Sequence, residues 1–241
     1  MNYERIQSIL KSSRNTVCLL GVESSMDSGC FYYHDADGAM DVESEYGYSP
    51  EEMFSTIFYN TRTKEFFDFY RDKLLGHMGT PGADLKVLRQ MEQDGKLNGI
   101  ITREVFGLAK RAGCENVIEL HGTVLKNRCP HCGKEYTMEY IKNHSGVPQC
   151  EVCHATIRPQ VCLVGEMLDN ATVTRAADLV SQAEVLLVLG CTLKSSLAGQ
   201  FLKYFNGEQL ILIHENEHYT DEKADIICYG KPRDVLPKIY Q

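Results

Sequence analysis

Short runs rich in Val, Ile and Leu recur along the chain with helical patterns between them. This alternation narrows the fold more than any other feature. The runs occupy residues 16–21, 98–102, 116–120, 161–164, 184–190, 209–214 and 224–228. Four to seven apolar-rich residues suit strands buried on both faces, the usual setting of parallel strands. Residues 84–93, 171–182 and 195–205 read as amphipathic helices; the first has Leu85, Leu88 and Met91 at helical spacing, with Val87 beside them. Strand and helix in alternation predict an α/β fold, a doubly wound parallel sheet with ligands at the carboxyl ends of its strands.

Two stretches break the rhythm. Residues 30–79 are rich in Tyr, Phe, Asp and Glu, with an apolar-aromatic pattern around 53–70, and read as a small helical module. Residues 122–159 hold paired cysteines and little periodicity, and read as a second module. The sheet domain is left with 1–29, 80–121 and 160–241. A chain of 241 residues buries a sizeable core without covalent staples. Its 43% hydrophobic and 24% charged residues exclude wholesale disorder. The net charge of −8 makes it a poor binder of phosphate backbones, so no nucleic-acid partner is expected. No segment approaches the ~20 apolar residues that span a bilayer, and no membrane partner is expected. Residues 1–15 are polar and mixed in charge, unlike an export signal. Ten cysteines then read as thiols and metal ligands of a cytoplasmic protein.

Cys129-Pro130-His131-Cys132-Gly133 and Cys150-Glu151-Val152-Cys153 are separated by residues 133–149, 17 in number. That lies within the C-x2-C-x15–20-C-x2-C spacing of zinc sites. Each C-x-x-C turn aims two thiolates at one point, and two turns close a tetrahedral S4 site at about 2.3 Å per Zn–S bond. Gly133 follows the second thiolate, where the turn calls for positive φ. Four thiolates leave no open position for water. Cys129, Cys132, Cys150 and Cys153 are therefore expected to hold a structural Zn²⁺ that steadies a module too small for its own core. Redox C-x-x-C pairs usually occur singly, so the doubled pair favours metal. His131 and His154 read as bystanders. Cys18, Cys114, Cys162, Cys191 and Cys228 lie in or beside apolar runs and read as small buried hydrophobes; Cys30 has no assignable role.

Further motifs follow in order. Ile101-Thr102-Arg103-Glu104-Val105-Phe106-Gly107-Leu108 leads to Arg111-Ala112-Gly113, and Ile118-Glu119-Leu120-His121-Gly122 stands just ahead of the cysteines. Val164-Gly165-Glu166, Gly190-Cys191-Thr192-Leu193, Ile213-His214 and Ala224-Asp225 come after them. This series resembles the I-T-Q-N-I-D-G-L…A-G, E-L-H-G, F-G-E, G-T-S-L, I-N and A-D segments of the sirtuins, the NAD-dependent protein deacylases. The likeness covers nearly the whole chain. It implies a Rossmann-like NAD-binding domain with an inserted zinc module and a helical module that includes a cofactor loop. It implies NAD as co-substrate and an acyl-lysine protein or peptide as partner. It further implies His121 as catalytic base, and Gly21, Ser25, Gly190, Thr192 and His214 around the dinucleotide. Val164, Gly165 and Glu166 are implied to border a cleft where a peptide adds as a strand between two loops. An imidazole suits the base because its pKa of about 6.5 leaves the neutral form dominant near neutrality.

Several positions depart from that frame. Glu23 stands for the second glycine of the phosphate loop G-A-G-I-S, where unlike-sized bulk meets like charge: two unit charges 4 Å apart repel by about 4 kcal/mol at an effective ε of ~20. Phe31-Tyr32-Tyr33-His34 replaces P-D-F-R, and Glu104 and Phe106 replace the Asn and Asp that the resemblance assigns to the nicotinamide ribose and carboxamide. Three functions are compatible with this pattern. One is a protein deacylase of weak or altered activity. Another is an NAD-consuming ADP-ribosyltransferase or NAD hydrolase, with Glu104 stabilising an oxocarbenium-like state. The last is a non-catalytic module holding a nucleotide or protein. His121 and the unbroken frame favour the first, whereas Glu23 and Phe106 favour the last. His34, His77, His144 and His218 read as surface residues, and the acidic run 35–45 as a solvated loop.

Overall fold

The computed structural model describes residues 2–32 and 36–241, without the side chains of 36 and 37. In chain order the strands are β1 (Thr16–Leu20), β2 (Leu97–Thr102), β3 (Val117–Glu119), β4 (Gly122–Arg128), β5 (Glu135–Thr137), β6 (Arg158–Val161), β7 (Val185–Leu189), β8 (Gln209–His214) and β9 (Ile226–Tyr229). β1 and β7 offer no polar face to solvent, and both are buried along their whole length. They lie side by side at the centre of a six-stranded sheet ordered β3-β2-β1-β7-β8-β9, in which every neighbouring pair is parallel. The order reverses between β1 and β7, which opens a crevice at their carboxyl ends.

Successive strand residues face opposite sides, so each strand feeds two cores. Cys18, Leu20 and Ile100 pack with Leu85, Leu88 and Met91 of the helix Ala83–Gln93, and with Leu236 and Ile239 of Pro232–Ile239. The helix Tyr3–Ser12 joins this side through Ile6 and Leu10. Val17, Leu19 and Ile101 lie against Ala176 and Val180 of Asn170–Ser181, and against Leu197 and Phe201 of Ser196–Phe201.

Six of the seven apolar runs are strands of this sheet; the run 161–164 is not. Only Val161 belongs to a strand, at the end of β6, where it pairs antiparallel with Gly122 in a second sheet ordered β5-β4-β6. Beyond it the chain crosses to the helical module. Val164 N–H donates to Phe54 O at 3.0 Å, and Thr56 N–H to Val164 O at 3.0 Å. The run is apolar because it bridges two modules.

The helical module comprises Ala36–Tyr46, Pro50–Met53, Thr56–Thr61 and Thr63–Phe69, closed by a wide turn at Tyr70–Leu74. Phe66, Phe67, Phe69 and Tyr70 are fully buried, and the rings of Phe66, Phe67 and Tyr70 pack on one another, Phe66 stacking on Tyr70 at 5.6 Å. The acidic run read as a loop is helical from Ala36 onward. Val42 is buried and Tyr46 meets Phe69 edge-on at 5.6 Å, while Asp41, Glu43 and Glu45 stay exposed. The acids mask a one-sided helix. His34 lies outside the described residues.

Candidate active site and metal centre

The carboxyl ends of β1 and β2, with the residues that follow β3, open on a cavity of about 710 Å³. Gly21 closes β1. A Cβ there would lie 2.3 Å from Gly190 O and 2.4 Å from Cys191 Cβ, so only glycine fits between β1 and β7. Backbone bonds lace the strand ends together: Gly21 N–H to Leu189 O (2.7 Å), Glu23 N–H to Gly190 O (3.1 Å) and Gly190 N–H to Ile213 O (2.8 Å). Ser25, in the helix Val22–Asp27, lines the cavity and is 6% exposed, and its hydroxyl has no partner among the described residues.

At the next strand end the Thr102 hydroxyl donates to Leu20 O at 3.0 Å and accepts Glu104 N–H at 3.2 Å. Glu104 reaches the cavity wall but turns its oxygens into its own loop. Oε2 accepts Phe106 N–H at 2.6 Å and Oε1 accepts Leu108 N–H at 2.9 Å, which fixes the turn into the helix Leu108–Arg111. Burial, aided by the nearby Glu119 charge, raises its pKa to about 7 despite those donors. Phe106 also lines the cavity and packs into the core at 6% exposure.

His121 follows β3. Burial, and then the Arg103 charge, lower its pKa to about 4, so the ring is neutral across the physiological range. Its carbonyl accepts Cys162 N–H at 2.8 Å, which draws the 162–166 segment onto the opposite wall. There the Glu166 carboxylate is occupied: Arg158 Nη2 donates to both oxygens, at 2.7 and 2.8 Å, and Leu163 N–H donates to Oε2 at 2.7 Å. Glu166 clamps its loop. Val164, 49% exposed, and Gly165 present the face of that loop to the cavity.

Gly21, Ser25, Glu104, His121, Val164, Gly165 and Glu166 are thus brought to one cavity, whereas Gly190, Thr192 and His214 are not among its lining residues. Gly190 stitches strand ends, as above. Thr192 is half-buried in the turn that follows, its carbonyl accepting Ser195 N–H at 3.0 Å. His214 is 1% exposed, with Nε2 2.9 Å from Asp221 Oδ2, so its ring serves the 214–221 turn and not a ligand surface. Glu23 likewise faces away from the cavity, its Oε2 accepting Glu215 N–H at 3.1 Å. Desolvation raises its pKa.

In the small sheet, the sulfurs of Cys129, Cys132, Cys150 and Cys153 all lie within 4.8 Å of one another. Cys129 and Cys153 are 3.4 Å apart, and Cys132 and Cys150 are 3.5 Å apart. The Tyr136 hydroxyl donates to Cys150 Sγ at 3.1 Å and accepts Glu151 N–H at 2.9 Å, holding the second knuckle to β5. Four convergent sulfurs can hold one metal ion.

Residues 21–196 match the sequence profile of the Sir2 family. The chain belongs to that family. It is 35% identical over 239 residues to an NAD-dependent protein deacetylase of Clostridium tetani, covering 99% of this chain and 97% of the relative. The corresponding deacetylase of Clostridium acetobutylicum is 33% identical over 97% of this chain and 96% of its own. A sirtuin structure from work on substrate affinity superimposes with a TM-score of 0.90 at 28% identity, over 99% and 98% of the two chains. A Sir2 structure with p53 peptide and NAD⁺ gives 0.82 at 27% identity, over 99% and 97%.

Against the sirtuin frame, sequence reasoning missed two arginines. Arg158 precedes the F-G-E counterpart and holds Glu166; nothing in the linear spacing couples the two. Arg103 lines the cavity where the frame has Gln, and that substitution was visible in Ile101-Thr102-Arg103-Glu104.

Proposed function

We propose that this chain is an NAD-dependent protein-lysine deacylase with a structural zinc ion, working more slowly than the family frame implies. One observation carries the reading: His121 is a neutral imidazole lining the same cavity as Gly21 and Ser25 on one side and Gly165 on the other. In this reaction the amide oxygen of the acyl-lysine takes the place of nicotinamide at ribose C1′. His121 then takes a proton from a ribose hydroxyl. A base with a pKa near 4 is ready at every physiological pH, though a weak one. Glu104 and Phe106 orient the ribose and carboxamide less well than Asn and Asp, and lost positioning alone costs a hundredfold or more. Glu104 has little to offer as a charge stabiliser at C1′, because both oxygens already accept backbone N–H groups.

Zinc is supported by the donor set. A tetrahedral S4 site at about 2.3 Å per bond has edges of about 3.8 Å, close to the sulfur separations of 3.4 and 3.5 Å. The substrate peptide runs along the 163–166 loop beside Val164 and Met167, 49% and 87% exposed. A cytoplasmic setting fits ten cysteines, none of them in a disulfide. Mass spectrometry of an acetyl-lysine peptide tests the reading. Deacetylation is expected only when NAD is present, and not with His121→Ala. Acyl loss without NAD, or an unimpaired His121→Ala enzyme, overturns it.

A further inference from the structure

β2 ends at Thr102, and Arg103 does not stay over its own strand. Its Nη1 donates to Ser196 Oγ at 2.8 Å, and its Nη2 to Gln200 Oε1 at 2.7 Å. Both acceptors lie on Ser196–Phe201, the helix that follows β7, and β1 stands between β2 and β7. The guanidinium therefore spans the carboxyl end of β1, at the crevice where the strand order reverses. In open α/β sheets a dinucleotide lays its diphosphate there.

Among the described residues, two polar atoms at this crevice lack partners. Arg103 Nε is buried without an acceptor, and so is the hydroxyl of Ser25, a side chain 6% exposed. Both residues line the cavity that holds Gly21 and His121. The two hydrogen bonds of the Arg103 fork go to neutral oxygens, and Arg103 forms no ion pair among the described residues. A partly desolvated cation with an idle donor is stabilised most by an anion placed against it. The sequence supplies a reason for its presence: the arginine of P-D-F-R is lost where His34 stands, and one is gained at 103, where the frame has Gln.

We infer that Arg103 recognises the diphosphate of the dinucleotide, with its Nε and the Ser25 hydroxyl donating to phosphate oxygens. The inference rests on the NAD reading above. The same charge opposes protonation of His121, so Arg103 also keeps the base neutral. An acyl chain ending in a carboxylate carries similar charge from the substrate side and is the rival source.

Calorimetry on the zinc-loaded full chain separates these outcomes. The probes are ADP-ribose, nicotinamide riboside (which lacks the diphosphate) and peptides with acetyl-lysine or carboxyl-bearing acyl-lysine. Arg103→Gln, which installs the residue of the family frame, is expected to weaken ADP-ribose about tenfold to a hundredfold. It should flatten the salt dependence and leave nicotinamide riboside unchanged, and Arg103→Lys should recover part of the loss. NMR titration of the ligand-free variant should show the His121 pKa moving up yet staying below the ordinary 6.5, since burial persists in a folded chain and only the Arg103 charge is lost. Equal ADP-ribose affinity in the parent and Arg103→Gln overturns the assignment. Selective loss of the carboxyl-bearing peptide, with ADP-ribose unaffected, transfers Arg103 to the acyl site and overturns it too. A parent chain that binds no ADP-ribose removes the NAD reading, and this inference with it.

Discussion

Glu104→Gln is the substitution whose consequence depends most on pH. In the folded chain the carboxyl has a pKa of about 7, against an ordinary value of 4.5. Between those values the folded state binds more protons than the unfolded state, so stability falls as pH rises through the window. The loss is complete above pH 7. At about 1.4 kcal/mol per unit, the whole difference is about 3 kcal/mol, an upper figure for a side chain that keeps some solvent contact. Glutamine has no charge to desolvate, but its single carbonyl oxygen satisfies only one of the two N–H groups, of Phe106 and Leu108, that Glu104 accepts. A buried N–H left facing an NH₂ costs about 1–3 kcal/mol at any pH. Glu104→Gln should therefore be the less stable protein at pH 5 and match or exceed the parent at pH 8. His121, whose depressed pKa makes stability fall as pH drops from about 6.5 to 4, acts on both proteins alike and cancels. Urea unfolding of both proteins at the two pH values measures the crossing. A stability gap that is the same at both refutes the reasoning, because Glu104 would then be ionised throughout.

Cys150→Ser should lose the metal and expose residues 122–161 first, read by metal analysis and amide exchange, with about one zinc per chain in the parent. The pH–rate profile should show no limb from His121 near 6.5; its loss of activity belongs near pH 4. Glu166→Ala frees Arg158 and the Leu163 amide, so KM for the acyl peptide should rise severalfold with little change in kcat. Thr56→Pro removes the N–H that binds Val164 O, at the first position of a helix, where proline is tolerated, and after Ser55, already extended at φ −105° and ψ 157°. If that bond competes with an added substrate strand, peptide affinity should improve, and calorimetry reads it.

The parallel sheet was legible because β1 and β7 are buried along their whole length and β2 and β8 at all but one position each, a pattern that few other arrangements accommodate. The cysteine pairs were legible because ligand geometry fixes their spacing. The run 161–164 misled because apolarity reports burial and not its partner; the partner here is Phe54–Thr56, more than a hundred residues away. The acidic run hid a helix because, among the described residues, Val42 and Tyr46 are the large side chains that mark its buried side. In the site, Gly21, Ser25 and His121 follow from motif order, since strand ends converge by topology. The paths of side chains do not follow from order. Glu104 folds back on its own amides, His214 turns to Asp221, Glu23 to Glu215, and Arg103 crosses a strand to reach Gln200. Each depends on residues distant in sequence or on rotamers that spacing leaves open.

The coupling between two products tests the central claim most directly. Zinc-loaded chain, NAD and an acetyl-lysine peptide are followed together for nicotinamide release and for acyl loss. A deacylase that uses NAD as co-substrate releases one nicotinamide for each acyl group removed, slowly; His121→Ala should lose no acyl group and release at most about one nicotinamide per chain, because His121 acts after nicotinamide has left. Repeated nicotinamide release without acyl loss by the parent contradicts the account in favour of NAD hydrolysis or ADP-ribosyl transfer, and absence of both products in the parent contradicts it in favour of a binding module.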